Sequence, residues 1–215
     1  MEIIRKTTMD AWKAALTHIM ERGEDFNDHD SRVCREILNL TLAIESPERD
    51  FEKPIDYMQN FKFVYPTKEE LASIILSKDA SAVYEFSYGP RIFNFMGQKD
   101  QINDFIIPVL KKYPLSRRAV ICLFNPLTDM DVFSKNIPSL MFVHFKIKDK
   151  KLDATFFIRS NDFFIGWPGN IYQLHTLQKY VANQLNMPAG SLTTISSSAH
   201  IFHEHFEMIK EVIRK

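Results

Sequence analysis

Apolar and polar residues alternate most cleanly over residues 139–160, in two runs that flank the charged stretch "KDKK". A period of two on both sides of a short polar turn predicts a β-hairpin. Helical spacing predicts a first helix in "TTMDAWKAALTHIMERGEDF", with Thr7 or Thr8 as its cap and Gly23 past its end. "CREILNLTLAIES" alternates loosely up to Pro47 and reads as a strand. Residues 46–66 are charged, carry Pro54 and Pro66, and read as a surface connection with short ordered pieces. Thr67 and Glu70 have the spacing of a capping box at the head of a helix over 67–78. Residues 100–114 predict another helix, with Pro108 as a kink. "RRAVICLFNP" reads as a short buried strand, and 170–185 as an amphipathic helix with Asn170 close to its cap. "SLTTISSSAHIF" is strand-like, and 203–215 closes the chain as a helix. Without a βαβ rhythm, this mixture predicts an α+β fold, with helices packed on a largely non-parallel sheet. No repeat, low-complexity tract or linker divides it, so residues 1–215 read as one domain.

Composition narrows the function classes. The 27 Lys and Arg are balanced by 27 Asp and Glu, so no global field steers the chain onto nucleic acid or an anionic membrane. No apolar stretch approaches the ~20 residues that span a bilayer, and the N-terminus lacks the pattern of a cleavable leader. Cys34 and Cys122 make neither a disulfide framework nor a zinc site. These features predict a cytosolic protein. With 18 Phe and 6 Gly, the core is expected to be aromatic.

Candidate chemistry centres on "IRSNDFFIGWPGN", residues 158–170. Its apolar residues call for a core, while Arg159, Ser160, Asn161, Asp162 and Asn170 call for water or a partner. Arg117 and Arg118 form a doublet that suits a phosphate or carboxylate, although a solvated pair at a strand mouth has the same sequence. Tyr88 and Arg91 lie in the turn "YGPR". "HIFHEH" offers His200, His203 and His205, but lacks the HExxH register of zinc hydrolases and reads as no metal site. Glycine cradles for nucleotides and a GxSxG elbow are absent. Ser198 and His200 on one strand face read as neighbours rather than as a catalytic pair.

The order of these elements carries more than each alone. "YGPR", "SRRAV", "IPSL", "RSNDFFIGWPGN" and "SSAHIF" together resemble the thymidylate synthase family, especially its short archaeal-type members, over about Tyr88 to Phe202. The resemblance implies a thymidylate synthase-like fold and a homodimer through the sheet. It implies that Arg159 and Ser160 bind the 5′-phosphate of a pyrimidine nucleoside monophosphate, and that Arg117 and Arg118 reach the same phosphate from the partner subunit. Asn170 would read the base, Asp162 would contact the base or the folate side, and His200 would sit near the sugar. Tyr88 would lie near the proton-transfer network. An asparagine amide suits a uracil edge, as in dUMP or UMP, whereas an aspartate would suit cytosine. The one-carbon donor implied is methylenetetrahydrofolate or a related pterin, with no metal. An upstream glutamate would serve as acid or base, and Glu45, Glu52 and Glu70 are the candidates. Trp167 occupies an apolar slot and reads as core.

Three departures bear on function. Ser139 follows Pro138 where the family carries its nucleophilic cysteine. A thiol with a reference pKa near ~8.5 is partly ionised at neutral pH, and a serine hydroxyl is far less so. Three readings stay open: an introduced Cys→Ser change, a natural serine enzyme with altered chemistry, and a nucleotide-binding pseudoenzyme. Cys122 reads as packing rather than as a substitute nucleophile. Phe202 stands where the family has a sugar-binding tyrosine, which leaves ribose and deoxyribose both open. The sequence given ends in "HFEMIKEVIRK", without the tail that closes over folate in the bacterial enzymes.

Overall fold

The computed structural model describes residues 1–63, 65–80, 87–133 and 137–214. Among them, seven strands form one mixed sheet: β1 (Glu2–Arg5), β2 (Glu24–Asn27), β3 (Val33–Ile44), β4 (Val120–Cys122), β5 (Leu140–Lys148), β6 (Lys151–Asp162) and β7 (Ala189–Phe202). The order is β1-β3-β7-β6-β5-β4, with β2 on the N-terminal half of β3. β1 runs parallel to β3, and β6 parallel to β7. The remaining pairs are antiparallel. The helices are α1 (Thr8–Arg22), α2 (Lys53–Met58), α3 (Lys68–Leu76), α4 (Gly89–Phe93), α5 (Ile107–Lys112), α6 (Pro126–Asp129), α7 (Gly166–Gln184) and α8 (Phe206–Arg214).

The expected hairpin is β5–β6. Lys148 faces Lys151 across a two-residue turn, and both turn residues are left-handed, with φ 49° at Asp149 and 59° at Lys150. Such primed turns match the twist of the strands they join. The parallel β6–β7 pair is a strand–helix–strand crossover through α7, which the sequence reading missed. β1 and β2 were missed as well, being only four residues each and mostly exposed.

One face of the sheet carries the core. Leu40, Leu42 and Ile44 of β3 line up with Leu192, Phe156, Ile158, Val143 and Phe145 of the neighbouring strands, all buried. Trp12, Leu16 and Ile19 of α1 and Ile171, Leu174, Leu177 and Val181 of α7 belong to the same buried cluster. At roughly 25 cal/mol per Å² of apolar area, this layer is the main stabilising term of the fold. The other face is only half covered. Register places Thr41, Ile195, Phe157 and Phe142 in one row across it, and the two phenylalanines stack at 3.9 Å.

The helix ends follow local chemistry. Thr7 caps α1 by accepting from the Asp10 amide, and Asp50 takes the Thr8 and Met9 amides at 2.7 and 3.1 Å. The capping box of Thr67 and Glu70 is complete. Gly23 ends α1 at φ −70°, so size rather than handedness selects it; a Cβ there would come 2.6 Å from the Ile19 carbonyl. Pro108 lies in the first turn of α5, behind a widened π-type turn at Ile102–Ile106. The expected buried strand over 117–126 shrinks to β4, of which only Ile121 is buried. α7 begins at Gly166, so Asn170 stands one turn inside it rather than at its cap. α8 follows a 3-10 turn at His203–His205; Lys215, placed in this helix by the sequence, lies outside the described residues.

Candidate active site

Ser139 opens the lead into β5, and Arg159 near the end of β6 holds it. The Arg159 amide donates to the Ser139 carbonyl at 2.8 Å. The guanidinium donates to the Pro138 carbonyl at 3.1 Å and to the Ile137 carbonyl at 2.8 Å. One arginine thus braces the whole Ile137–Ser139 segment by backbone. Tyr88, at the N-terminal edge of α4, bonds with its hydroxyl to the Ser139 side chain and the Leu140 backbone. Burial pushes the Tyr88 phenol up, against the smaller lowering effects of Leu140, Arg159 and Ser139, so it stays protonated. Ser139, Tyr88 and Arg159, far apart in sequence, therefore form one cluster.

Arg159 also lines a cavity of about 510 Å³ together with Ser160, Ser198 and His200 from the ends of β6 and β7. Such a volume lies within the ~300–1,000 Å³ range of small-molecule sites. Arg32 and Phe202 close another side, and the Arg32 guanidinium lies 3.4 Å over the Phe202 ring. The same guanidinium donates to Glu204 at 2.7 Å. Sequence reasoning missed Arg32, because a lone arginine in the exposed stretch "DHDSR" carries no motif. Its position comes from the loop: the Asp28 carboxylate accepts from the Asp30 and Arg32 amides, and Ser31 turns left-handed at φ 62°. Phe202, which lacks a hydroxyl, is the platform for this cation.

Asp162 and His200 are register partners at the ends of β6 and β7. Burial pushes the Asp162 carboxyl up and the His200 imidazole down, and each opposes the other's shift. Asp162 Oδ1 accepts from the Phe164 and Ile165 amides at 2.8 and 3.1 Å, which turns the chain into α7. His200 Nδ1 lies 3.4 Å from the Ser198 hydroxyl.

Asn170 is half-buried and donates from Nδ2 to Asn161 Oδ1 at 3.2 Å. Asn161 in turn donates to the buried Ser196 hydroxyl at 3.1 Å. The Tyr65 hydroxyl grips the first turn of α7, donating to the Ile165 carbonyl at 2.9 Å and accepting from the Gly169 amide at 2.6 Å. The sequence reading marked Asn161 as needing a partner but did not single out Tyr65.

Other candidates fall elsewhere. Arg117 and Arg118 are exposed and line a separate surface cavity with Tyr113; within one protomer they do not share the Arg159 cavity. Glu70 is spent on the capping box, Glu52 pairs with Lys68 at 2.7 Å, and Glu45 is exposed beside Lys148 and Asp153. The Arg159 cavity instead carries Glu36, Asp28 and Asp30. Arg91 is bidentate with buried Asp129 at 2.6 and 2.7 Å, a structural pair under α4. Trp167 is buried and stacks with Trp12 at 6.3 Å, as its apolar slot implied. Cys122 bonds its thiol to the Phe124 carbonyl. Among the described residues no cluster of three or more His, Cys, Asp or Glu side chains is placed to hold a metal, and His203 pairs with Asp25 at 3.0 Å.

Arg159 thus joins the Ser139 segment to the cavity walled by Ser160, Ser198 and His200, while Ser139 and Asn170 are not among the residues lining that cavity. The chain belongs to the thymidylate synthase family, whose sequence pattern matches residues 77–215. It is 34% identical over 209 residues to "Putative thymidylate synthase" of Methanosarcina barkeri, covering 97% of this chain and 93% of that protein. The protein of the same name from Methanothermobacter thermautotrophicus is 29% identical over 215 residues, covering 95% of each chain. "Thymidylate synthase" of Enterobacteria phage T4 is 34% identical over 128 residues, 60% of this chain and 43% of that protein. The family's members transfer a one-carbon unit to C5 of a pyrimidine nucleotide with methylenetetrahydrofolate, and this chain is a transferase of that type.

Proposed function

We propose that the chain binds a uracil nucleoside 5′-monophosphate and carries Ser139 at the position from which C6 of the base is attacked. The observation that carries this reading is the double use of Arg159. The residue that braces Ser139 through Ile137 and Pro138 also lines the cavity shared by Ser160, His200 and Arg32. A phosphate held by Arg159, Ser160 and Arg32 sets the nucleotide at a fixed distance from Ser139. Charge-assisted bonds from guanidinium forks are strong and directional, which suits a dianion. His200 is on the same wall and suits the sugar, and Asn170 suits the N3–O4 edge of uracil.

In this reading the working unit is a homodimer formed through the open face of the sheet, with Arg117 and Arg118 entering the partner's cavity. The half-covered row of Ile195, Phe157 and Phe142, with Val120 40% exposed on the neighbouring strand β4, favours such a partner. Methylenetetrahydrofolate, when bound, supplies the one-carbon unit. Asp162 fits as an acceptor for pterin N–H groups, because Oδ2 makes no hydrogen bond among the described residues while Oδ1 makes two.

A second reading, binding without turnover, is favoured by the environment of Ser139. Among the described residues its side chain meets a protonated phenol and no base that would remove its proton. Thermal shift with UMP, dUMP, CMP and dCMP tests the binding step, since a ligand of the folded state raises its apparent stability. Release of tritium from 5-labelled nucleotide, with and without methylenetetrahydrofolate, tests turnover. Stabilisation with release supports the transferase, stabilisation alone supports the second reading, and neither sinks both.

A further inference from the structure

We infer that the Glu36 carboxylate reads the two vicinal hydroxyls of a ribose, so that the site takes a ribonucleoside 5′-monophosphate in preference to its 2′-deoxy counterpart; this rests on the nucleotide reading above. The two sugars differ by one hydroxyl. A site favours the sugar that has it by placing a desolvated acceptor where that hydroxyl comes. A carboxylate suits the task, because its two oxygens accept from two neighbouring hydroxyls at once. Dinucleotide-binding folds use an acidic side chain on a ribose hydroxyl in this way. Phe202 cannot serve, since its ring carries no hydroxyl and the Arg32 guanidinium lies 3.4 Å over it.

Strand register puts Glu36 where a sugar falls. Three rows of side chains cross the sheet here: Leu38, Ser198 and Ser160 in the first, Glu36, His200 and Asp162 in the second, and Cys34 with Phe202 in the third. Residues two apart on a strand point to the same face, and such rows are ~7 Å apart. The first row carries Ser160, which lines the cavity together with Arg159 at its phosphate end. The sugar is the group joined directly to the phosphate, so the next row is the one that meets it. Both Glu36 and His200 of that row line the cavity. Glu36 is also unpartnered. Of the three acids lining the cavity, Asp28 accepts from the Asp30 and Arg32 amides at 3.0 and 2.8 Å, and Asp30 lies 3.3 Å from His29 Nε2. Glu36 is half-buried and makes neither a hydrogen bond nor an ion pair among the described residues. Its neighbours along that face of the strand are Cys34 and Leu38, which offer it no strong donor. A half-buried carboxylate in that position calls for donors from a ligand. Burial lowers the pKa of His200 while Asp162 and Glu36 raise it, so the Glu36 charge acts on the imidazole assigned to the sugar. Glu36 and His200 sit within the long paired strands β3 and β7, which hold them at a fixed spacing.

The test is calorimetric titration of the full chain with UMP, dUMP and the arabino epimer of UMP, whose 2′-hydroxyl lies on the opposite face of the sugar, with inorganic phosphate as a control ligand. Wild type is expected to bind UMP tighter than dUMP by about tenfold or more, because a hydrogen bond to a charged group is among the stronger ones. The arabino epimer should bind like dUMP, since its hydroxyls are no longer on one side. Glu36→Gln keeps the size of the side chain but has one acceptor oxygen and no charge. It is expected to bring the dUMP-to-UMP ratio of dissociation constants within about threefold of unity, with phosphate affinity undiminished. Glu36→Leu should do the same, and the near-isosteric Gln variant carries the test even where the Leu variant does not fold. An unchanged ratio in Glu36→Gln overturns the role of Glu36 and leaves the nucleotide reading standing. So does a wild type that binds dUMP as tightly as UMP, or the arabino epimer as tightly as UMP. A wild type that binds none of the three nucleotides overturns the nucleotide reading, and this inference with it.

Discussion

The hydroxyl of Tyr65 and the backbone amide of Gly169 stand 2.6 Å apart, and the absence of a side chain at 169 makes that approach possible. A Cβ on Gly169 would lie 2.8 Å from the Tyr65 oxygen, closer than such contacts allow. Tyr65→Phe removes two bonds to backbone at the start of α7 and is expected to cost about 1–3 kcal/mol, read as a lower Tm. Gly169→Ala must move the tyrosine or the helix turn, so it should lower pyrimidine affinity as well as stability. Equal nucleotide affinity in wild type and Gly169→Ala would show that this turn does not set the position of Asn170.

Ser139 is already in the right company for a thiolate. Arg159 is adjacent and Tyr88 is hydrogen-bonded to the side chain, which together would favour an anion at that position. Ser139→Cys is expected to raise tritium release from 5-labelled nucleotide by at least about a hundredfold, since a thiol ionises far more readily than a serine hydroxyl. Absence of a rise, with nucleotide binding intact, would mean that the pocket has diverged beyond its nucleophile.

Arg117 and Arg118 lie outside the Arg159 cavity within one protomer, so the shared-site reading requires the partner to bring them in. Arg159→Ala and the double variant Arg117→Ala/Arg118→Ala should each lose nucleotide binding. Mixed in equal amounts and allowed to exchange, they form about half heterodimers, each with one intact site of two. Calorimetric titration should then recover about a quarter of the wild-type site content. No recovery, from a mixture shown by mass to have exchanged subunits, would place both sets of arginines in one chain's own site or in none.

The parts of the molecule visible in the sequence were those with a strong local signal. The β5–β6 hairpin was marked by its alternation, α3 by its capping box, and the cluster at 158–170 by polar residues among aromatics. What stayed hidden depended on distant partners. The β6–α7–β7 crossover stayed hidden although α7 and β7 were each read as a helix and a strand, because β7 with its three serines lacks the continuous apolar run that marks a parallel strand, and its pairing with β6 is set by distant contacts. Arg32 lies 127 positions before Arg159, and only the pairing of β3 with β7 brings its loop to Phe202. Tyr65 was read as part of a surface connection; its hydroxyl bonds to residues 100 and 104 positions away. Of the three glutamates offered by the sequence, Glu70 completes a capping box, Glu52 pairs with Lys68 and Glu45 is exposed, positions that sequence spacing alone did not distinguish.

Acid sensitivity follows from His205, which sits among the rings of Phe63, Phe164 and Phe202 at 5.7, 5.2 and 6.3 Å. Its Nδ1 is buried without a partner among the described residues, and Nε2 lies 3.6 Å from Glu204. Burial lowers its pKa from the ordinary 6.5, against smaller raising effects of Asp162 and Glu204 and with some help from Arg32. The unfolded chain therefore takes up a proton at this residue at higher pH than the folded one. The associated stability is fully present above about 6.5 and is lost as pH falls from there toward the depressed folded value. Each such group contributes at most ~1.4 kcal/mol per pH unit within that window. Tm measured from pH 7.5 to 5.5 should fall in the wild type and fall less in His205→Phe. Some decline should persist in the variant, because burial also lowers His200, His175 and His144. An identical decline in both proteins would mean that His205 gains a proton acceptor in solution and titrates as it does in the unfolded chain.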